Sequence, residues 1–321
     1  MKILVSGGAG YIGSHTVIEL CDQGHDVSIF DDLSLGLTEN IDRRATLIEG
    51  STHNSHLLRD VLSQGFDAVI HFAAWKAAGE SMSNPMKYAH NNINGSLSLL
   101  NEIMYAKIKY VVFSSTAAVY GYPEYLPVDE KHPLNPINYY GYTKLAIERN
   151  LAWFSQLQGM RFAALRYFNA AGYDREGRIT GKERDPQNLL PVVMEVASGI
   201  REKLDIFGND YHTPDGTGVR DYIHVADLAT AHTKALDYLM KFDKNLTLNL
   251  ATGEGYSVLD VIKEAEIVSG KTIPYTIVDR RPGDPAELIA TSNLASDLLN
   301  WQPQHSDLHT ILTSMWDVYR R

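Results

Sequence analysis

Along the first half of the chain, short apolar runs alternate with longer stretches of helical periodicity. The runs Ile3-Leu4-Val5, 27–30, 46–48, 68–72, 110–113 and 162–166 are apolar at nearly every position, and a helical pattern covers 12–22. Strands of this kind, separated by helices, predict a parallel sheet buried on both faces. The expected fold is α/β, a Rossmann-type doubly wound parallel sheet. From about Asn169 the rhythm changes. A polar, glycine-containing stretch occupies 172–187, followed by a helical pattern at 190–199 and strand patterns at Leu204–Phe207, Leu246–Leu250 and 274–278. Helical patterns recur at Val258–Ser269 and near the C-terminus. This division predicts a dinucleotide-binding domain over residues 1–169. A smaller C-terminal substrate-binding lobe is expected mainly over 170–321, with a soft boundary and interleaved segments.

Composition narrows the classes. The 321 residues are 44% hydrophobic and 21% charged, an ordinary balance for a soluble globular protein. With 29 Lys+Arg against 39 Asp+Glu, the net charge of −10 argues against a general basic surface for nucleic acid or anionic membrane. A few placed arginines can still hold an anionic ligand. The single cysteine, Cys21, excludes an intramolecular disulfide and a four-thiolate zinc site. No run approaches the ~20 apolar residues of a membrane span. These features lead us to expect a cytoplasmic protein, complete from its first residue. The 12 histidines are scattered, and no metal site is expected.

Candidate chemistry begins at the first turn. Gly7, Gly10 and Gly13 follow the first strand and open the first helix. Glycines there permit a tight turn and close backbone approach to a pyrophosphate, which the helix N-terminus then attracts. Asp31 and Asp32 end the second strand, at close to the ~20-residue spacing at which a carboxylate binds the adenosine ribose. A carboxylate repels a 2′-phosphate, so NAD is favoured over NADP. One of the two aspartates could equally cap a turn. Tyr140 and Lys144 stand at i and i+4, on one helix face. A free tyrosine has a pKa of ~10, and a nearby ammonium together with the positive nicotinamide ring should lower it toward a usable base. Ahead of them, after the strand ending near Phe113, lies a hydroxyl at Thr116.

Together these motifs resemble the extended short-chain dehydrogenase/reductase family, over essentially the whole chain. Gly7-Gly8-Ala9-Gly10-Tyr11-Ile12-Gly13-Ser14-His15, His71-Phe72-Ala73-Ala74-Trp75-Lys76, Asn91-Asn92 and Tyr167-Phe168-Asn169 carry the likeness. So do Phe207-Gly208-Asn209-Asp210-Tyr211 and Gly218-Val219-Arg220-Asp221-Tyr222-Ile223-His224-Val225, the most specific segments. Within the family they resemble the members that epimerise nucleotide sugars at C4. The resemblance implies an isomerase that takes hydride from C4 of a UDP-hexose to NAD, lets the 4-keto sugar turn, and returns the hydride.

By the same resemblance, Gly7, Gly10, Tyr11, Ile12, Gly13, Asp31, Asp32, Ser51, Thr52, Phe72, Ala73, Lys76, Asn91, Tyr140, Lys144 and Phe168 would bind or border NAD. Tyr140, Lys144 and Thr116 would be catalytic. Lys76, Thr116, Tyr140, Asn169, Asn188, Leu189, Phe207, Arg220, Arg281, Asp284 and Leu288 would hold the UDP-sugar, with the two arginines on its diphosphate. The family also implies a homodimer formed through helices near 86–107 and 140–158.

Two positions depart from the family pattern. Ser51 stands where an aspartate usually holds the adenine amino group, and Leu288 stands at the position whose bulk governs entry of N-acetylated sugars. The alternatives are a 4-epimerase acting mainly on UDP-GlcNAc/UDP-GalNAc or on a UDP-pentose, and a non-catalytic NAD-binding sensor. A sugar-nucleotide dehydratase would need an acid and a base after the catalytic hydroxyl, where this chain has Ala117 and Ala118.

Overall fold

The computed structural model describes residues 1–281 and 283–321. Its strands, in chain order, are β1 (Lys2–Ser6), β2 (Asp26–Asp31), β3 (Thr46–Glu49), β4 (Ala68–His71), β5 (Tyr110–Ser114), β6 (Arg161–Tyr167) and β7 (Asn169–Ala171). They continue as β8 (Leu204–Phe207), β9 (Val219–Arg220), β10 (Tyr222–His224), β11 (Leu246–Leu250), β12 (Tyr256–Ser257), β13 (Tyr275–Val278) and β14 (Glu287–Leu288). A seven-stranded sheet runs in the order β11-β6-β5-β4-β1-β2-β3. Each neighbouring pair in it is parallel.

Successive side chains of a strand face opposite sides, so an all-apolar strand needs a cover on both. Ile3 and Val5 pack with Val17 and Leu20 of helix Tyr11–Asp22 and with Leu228 and Leu239 of helix Val225–Phe242. Leu4, between them, packs on the other side with Leu58, Leu99, Ile103, Ile147 and Leu151. Those residues come from helices Ser55–Leu62, Gly95–Tyr105 and Tyr139–Gln158. The strand order reverses between β1 and its two neighbours β2 and β4. In open α/β sheets the crevice beyond the strand C-termini at such a point is the ligand position.

The chain passes between layers more than once. β11 pairs in parallel with β6 and forms an edge of the large sheet. Helix Val225–Phe242 covers that sheet, although no sequence pattern was assigned to it; its start is capped by His224 Nδ1, which accepts from Ala226 N at 3.0 Å. The remaining C-terminal elements enclose their own core, with Leu190, Val193, Ile206, Val261, Ile262, Ile311 and Met315 among its members. The shorter ladders are β8–β13, β7–β10 and the trio β12-β9-β14. Strands of two or three residues carry no readable periodicity, and none was anticipated at β7, β9, β10, β12 or β14. Residues 172–187 have no helix or strand.

Candidate active site

The first turn is built by contact. Gly7 has φ +75°, and a Cβ on it would lie 2.5 Å from Ala73 N; a Cβ on Gly13 would lie 2.2 Å from Gly7 O. The loop after β4 therefore presses against the turn after β1. Gly10 caps the helix Tyr11–Asp22 without a side-chain bond, and no acidic residue stands in the first turn. The helix N-terminus thus offers its backbone donors and positive dipole end to the crevice. At the end of β2, Asp31 is 7% exposed and accepts from Ala9 N at 3.0 Å and Leu33 N at 2.9 Å. Burial pushes its carboxyl above the usual range. Asp32 accepts from Ser34 N at 3.0 Å. Both aspartates thus cap the turn, and both border the crevice.

A cleft runs along these elements. Its walls include Gly7, Gly10, Tyr11, Ile12, Gly13, Asp31, Asp32, Ser51, Thr52, Phe72, Ala73, Lys76, Asn91, Tyr140 and Lys144. Phe168 borders an adjoining cavity, together with Thr116, Asn169 and Asn188. Tyr11, Ile12, Lys76 and Tyr140 face both spaces. A dinucleotide fits this cleft: a glycine turn that tolerates no side chain, an uncapped helix N-terminus for the pyrophosphate, and a buried carboxylate for the ribose lie in sequence along one wall.

Removing that carboxylate should separate its two roles. Asp31→Ala is expected to weaken NAD and to change NADP affinity less, because it deletes a ribose acceptor and also a charge that repels phosphate. Titration of both dinucleotides checks this; an unchanged affinity ratio would leave Asp31 a turn-capping residue only. At the adenine end, the Ser51 hydroxyl accepts from His53 N at 3.3 Å.

The candidate proton-transfer residue Tyr140 sits where the two cavities meet. Asn138 starts the helix Tyr139–Gln158 by accepting from Gly141 N at 2.8 Å. A Cβ on Gly141 would lie 2.4 Å from Ala118 O, so the first helical turn packs directly on the loop after β5. Tyr140 N donates to Ser81 Oγ at 3.0 Å. One turn later Lys144, 4% exposed, donates from Nζ to Ser114 O at 2.7 Å. Burial lowers Lys144 to about 7. Burial raises Tyr140 to about 12, and the Thr116 hydroxyl is the group that pulls it down. In the chain by itself desolvation dominates at Tyr140; the expected lowering counts on the nicotinamide ring as well as the Lys144 ammonium. Ala117 and Ala118 follow Thr116, and neither can carry a proton.

The nucleotide-binding candidates form a second group that borders neither cavity. Arg220, on β9, pairs with Asp284 and donates to Val219 O at 2.7 Å. The Arg281 guanidinium stacks 3.8 Å from the Phe207 ring centre. Leu288 lies opposite Arg220 in the β14–β9 register and, like Phe168, packs against the buried cluster that includes Ala117, Val119 and Tyr120. Asn169 Nδ2 donates to Asp221 O at 2.8 Å, joining this group to β7. Leu189 packs into the core of the second lobe.

Sequence reasoning missed Glu183. It faces both cavities and holds Lys76 Nζ at 2.9 Å. Tyr167, Tyr173 and Tyr319 border the smaller cavity as well. For Glu183 and Tyr173 the local signal is the polar character of 172–187, which says nothing of what that stretch covers. Among the described residues, no cluster of three or more His, Cys, Asp or Glu side chains could hold a metal, and no helix is long and apolar enough to cross a membrane.

Fold, glycine turn and Tyr–Lys pair define a dinucleotide-dependent enzyme of the short-chain dehydrogenase/reductase type. Residues 3–251 match the model of the NAD dependent epimerase/dehydratase family, and the chain belongs to that family. It is 44% identical to the UDP-glucose 4-epimerase of Lactobacillus helveticus over 322 aligned positions, covering 100% of this chain and 97% of that protein. Among solved structures it resembles the UDP-glucose 4-epimerase from Brucella ovis in complex with NAD, with TM-score 0.97 and 40% identity over 99% of this chain and 98% of that one. It also resembles the UDP-Glc/GlcNAc 4-epimerase from Campylobacter jejuni, with TM-score 0.87 and 39% identity over 99% and 98% of the two chains. The family's cofactor is NAD.

Proposed function

We propose that this chain interconverts UDP-glucose and UDP-galactose by NAD-dependent epimerisation at C4. The observation that carries the reading is Tyr140, which faces the dinucleotide cleft and the adjoining cavity at once, with Thr116 bordering that same cavity and Lys144 one turn away. Tyr140 takes the proton of the sugar 4-hydroxyl and later gives it back; Thr116 bonds the same oxygen and fixes its direction. Lys144 supplies positive charge beside the phenolate. NAD, when bound, accepts and returns the C4 hydride and brings the positive charge of its ring into the cleft. Arg220 and Arg281 bind the diphosphate, which offers Arg220 a better bidentate partner than the half-exposed Asp284. Asp284, released, binds a ribose. Anchored there, the 4-keto sugar can turn so that C4 would receive the hydride on its other face, while Tyr140 still reaches the oxygen.

A substrate panel without added NAD tests this: UDP-Glc, UDP-Gal, UDP-GlcNAc and UDP-GalNAc. Turnover mainly of the first pair supports the reading. Turnover mainly of the N-acetylated pair favours the second reading, for which Leu288 is the specific observation, since an aliphatic side chain leaves space that a tyrosine ring would fill. Binding of NAD without turnover of any sugar would make the chain a sensor.

We also propose a homodimer, which exposed apolar side chains support. Met86, Tyr105, Trp153 and Leu157, in the two helical regions expected to pair, are all more than half exposed, Met86 at 73%. Light scattering at working concentration checks the mass. A cytoplasmic setting accords with NAD and nucleotide-sugar chemistry and with the single buried thiol of Cys21.

A further inference from the structure

Behind the Tyr140–Lys144 pair lies a second set of polar side chains that the reaction does not touch. Glu148 continues the same helix face one turn beyond Lys144. Its carboxylate is 7% exposed and accepts from Arg166 Nε at 2.9 Å and Nη2 at 2.6 Å, and from the hydroxyl of Ser115. Arg166, on β6, donates from Nη1 to Tyr120 Oη at 3.0 Å, and Tyr120 donates to Asn249 Oδ1 at 2.6 Å. Ser115 stands between Ser114, whose carbonyl holds Lys144, and Thr116, which faces Tyr140. On the other side of Ser114, its hydroxyl bonds Tyr167.

We infer that Glu148 is a positioning residue for the reaction: bound to Arg166 and Ser115, it fixes the Ser114–Ser115–Thr116 loop against Lys144 and keeps that lysine charged. The assignment rests on Tyr140 being the base. A buried ion pair is in itself weak support for stability, since desolvation offsets the attraction. Here Glu148 lies on the helix that carries Lys144, and its partner Ser115 lies in the loop that carries Thr116. Lys144 is surrounded by few other charges. His71 of β4 is held between Ser6 Oγ at 2.6 Å and Ser96 Oγ at 2.8 Å, and burial keeps it neutral, at about 3. Tyr167 and Tyr120 are uncharged, Arg166 is engaged by Glu148, and Glu130 is occupied by Asn249 N at 2.8 Å. Glu148 is the group that opposes the loss of charge that burial imposes on Lys144.

The sign follows. Without the carboxylate, Lys144 releases its proton at lower pH, so the alkaline limb of the kcat profile moves down. The phenolate loses its neighbouring charge, so the acid limb moves up. Glu148→Gln should narrow the bell from both sides. A displacement of about one pH unit per limb is roughly tenfold in kcat beyond that limb. KM for the UDP-sugar should stay within about twofold, because its anchors lie elsewhere.

Glu148→Asp, which keeps the charge, should restore much of the width. Tyrosinate absorbance as a function of pH, taken as the difference from the same protein carrying Tyr140→Phe, reads the base directly and without turnover. Its midpoint should rise in Glu148→Gln. Since an unpaired buried Arg166 could prevent folding, Glu148→Leu with Arg166→Met provides a variant without a lone charge, and it should show the same narrow profile. If either folded variant retains the parent width and tyrosinate midpoint, the pair is structural and the inference is overturned. Full activity of Tyr140→Phe would instead overturn the assignment of the base, a separate outcome.

Discussion

Tyr140→Phe is expected to lower kcat by ~10²–10⁴-fold, about 3–5 kcal/mol of barrier, the usual effect of deleting one general base. The ring keeps its packing, and the hydroxyl that is lost makes no hydrogen bond on which the fold depends. NAD and UDP-sugar should bind nearly as before, because the dinucleotide is held at the glycine turn and Asp31, and the diphosphate at Arg220 and Arg281. Single-turnover measurements with equilibrium binding separate the two. Near-normal turnover would exclude Tyr140 as base. A parallel loss of binding would mean that the variant disturbs the cleft rather than the chemistry.

Leu288 should set substrate breadth. It packs against the same buried cluster as Phe168, which borders the smaller cavity, and lies in register with Arg220. Measurable but secondary activity on UDP-GlcNAc/UDP-GalNAc is expected beside the main UDP-Glc/UDP-Gal activity. Leu288→Tyr should depress the N-acetyl reaction selectively, and Leu288→Ser should raise it. Steric discrimination of this sort amounts to ~1–3 kcal/mol, or roughly 10- to 200-fold in kcat/KM. The measurement compares both substrate pairs in the three proteins. Parallel changes in both activities would show that Leu288 acts through general packing of the Ala117–Tyr120 cluster.

The strand runs of the first half, the glycine turn, the Asp31 strand end and the Tyr140–Lys144 spacing were all legible from residues a few positions apart. Each depends on local periodicity or on a turn that only certain side chains permit, so each leaves its mark in a short window. The second lobe was harder. The run Leu246–Leu250 reads as a strand, but nothing within it says that it joins β6 at the edge of the large sheet. Helix Val225–Phe242 has buried positions at Leu228, His232, Ala235, Leu236 and Leu239, yet its alanines and threonines dilute the apolar signal.

Residue identity alone thus determined the strand-turn-helix units, the kind of ligand they suit, and the inventory of acids, bases and arginines. Only the folded chain decided which of these groups meet. Lys76 and Glu183 are brought together by an irregular stretch, and Glu148, Arg166 and Ser115 by three separate elements. The protonation of Tyr140 was decided there too. Its sequence neighbour Lys144 argued for a lowered pKa, but removal of water by surrounding chain raised it to about 12. Desolvation is a sum over everything packed around a group, and contacts between distant segments are set by the global topology; no local window of sequence contains either.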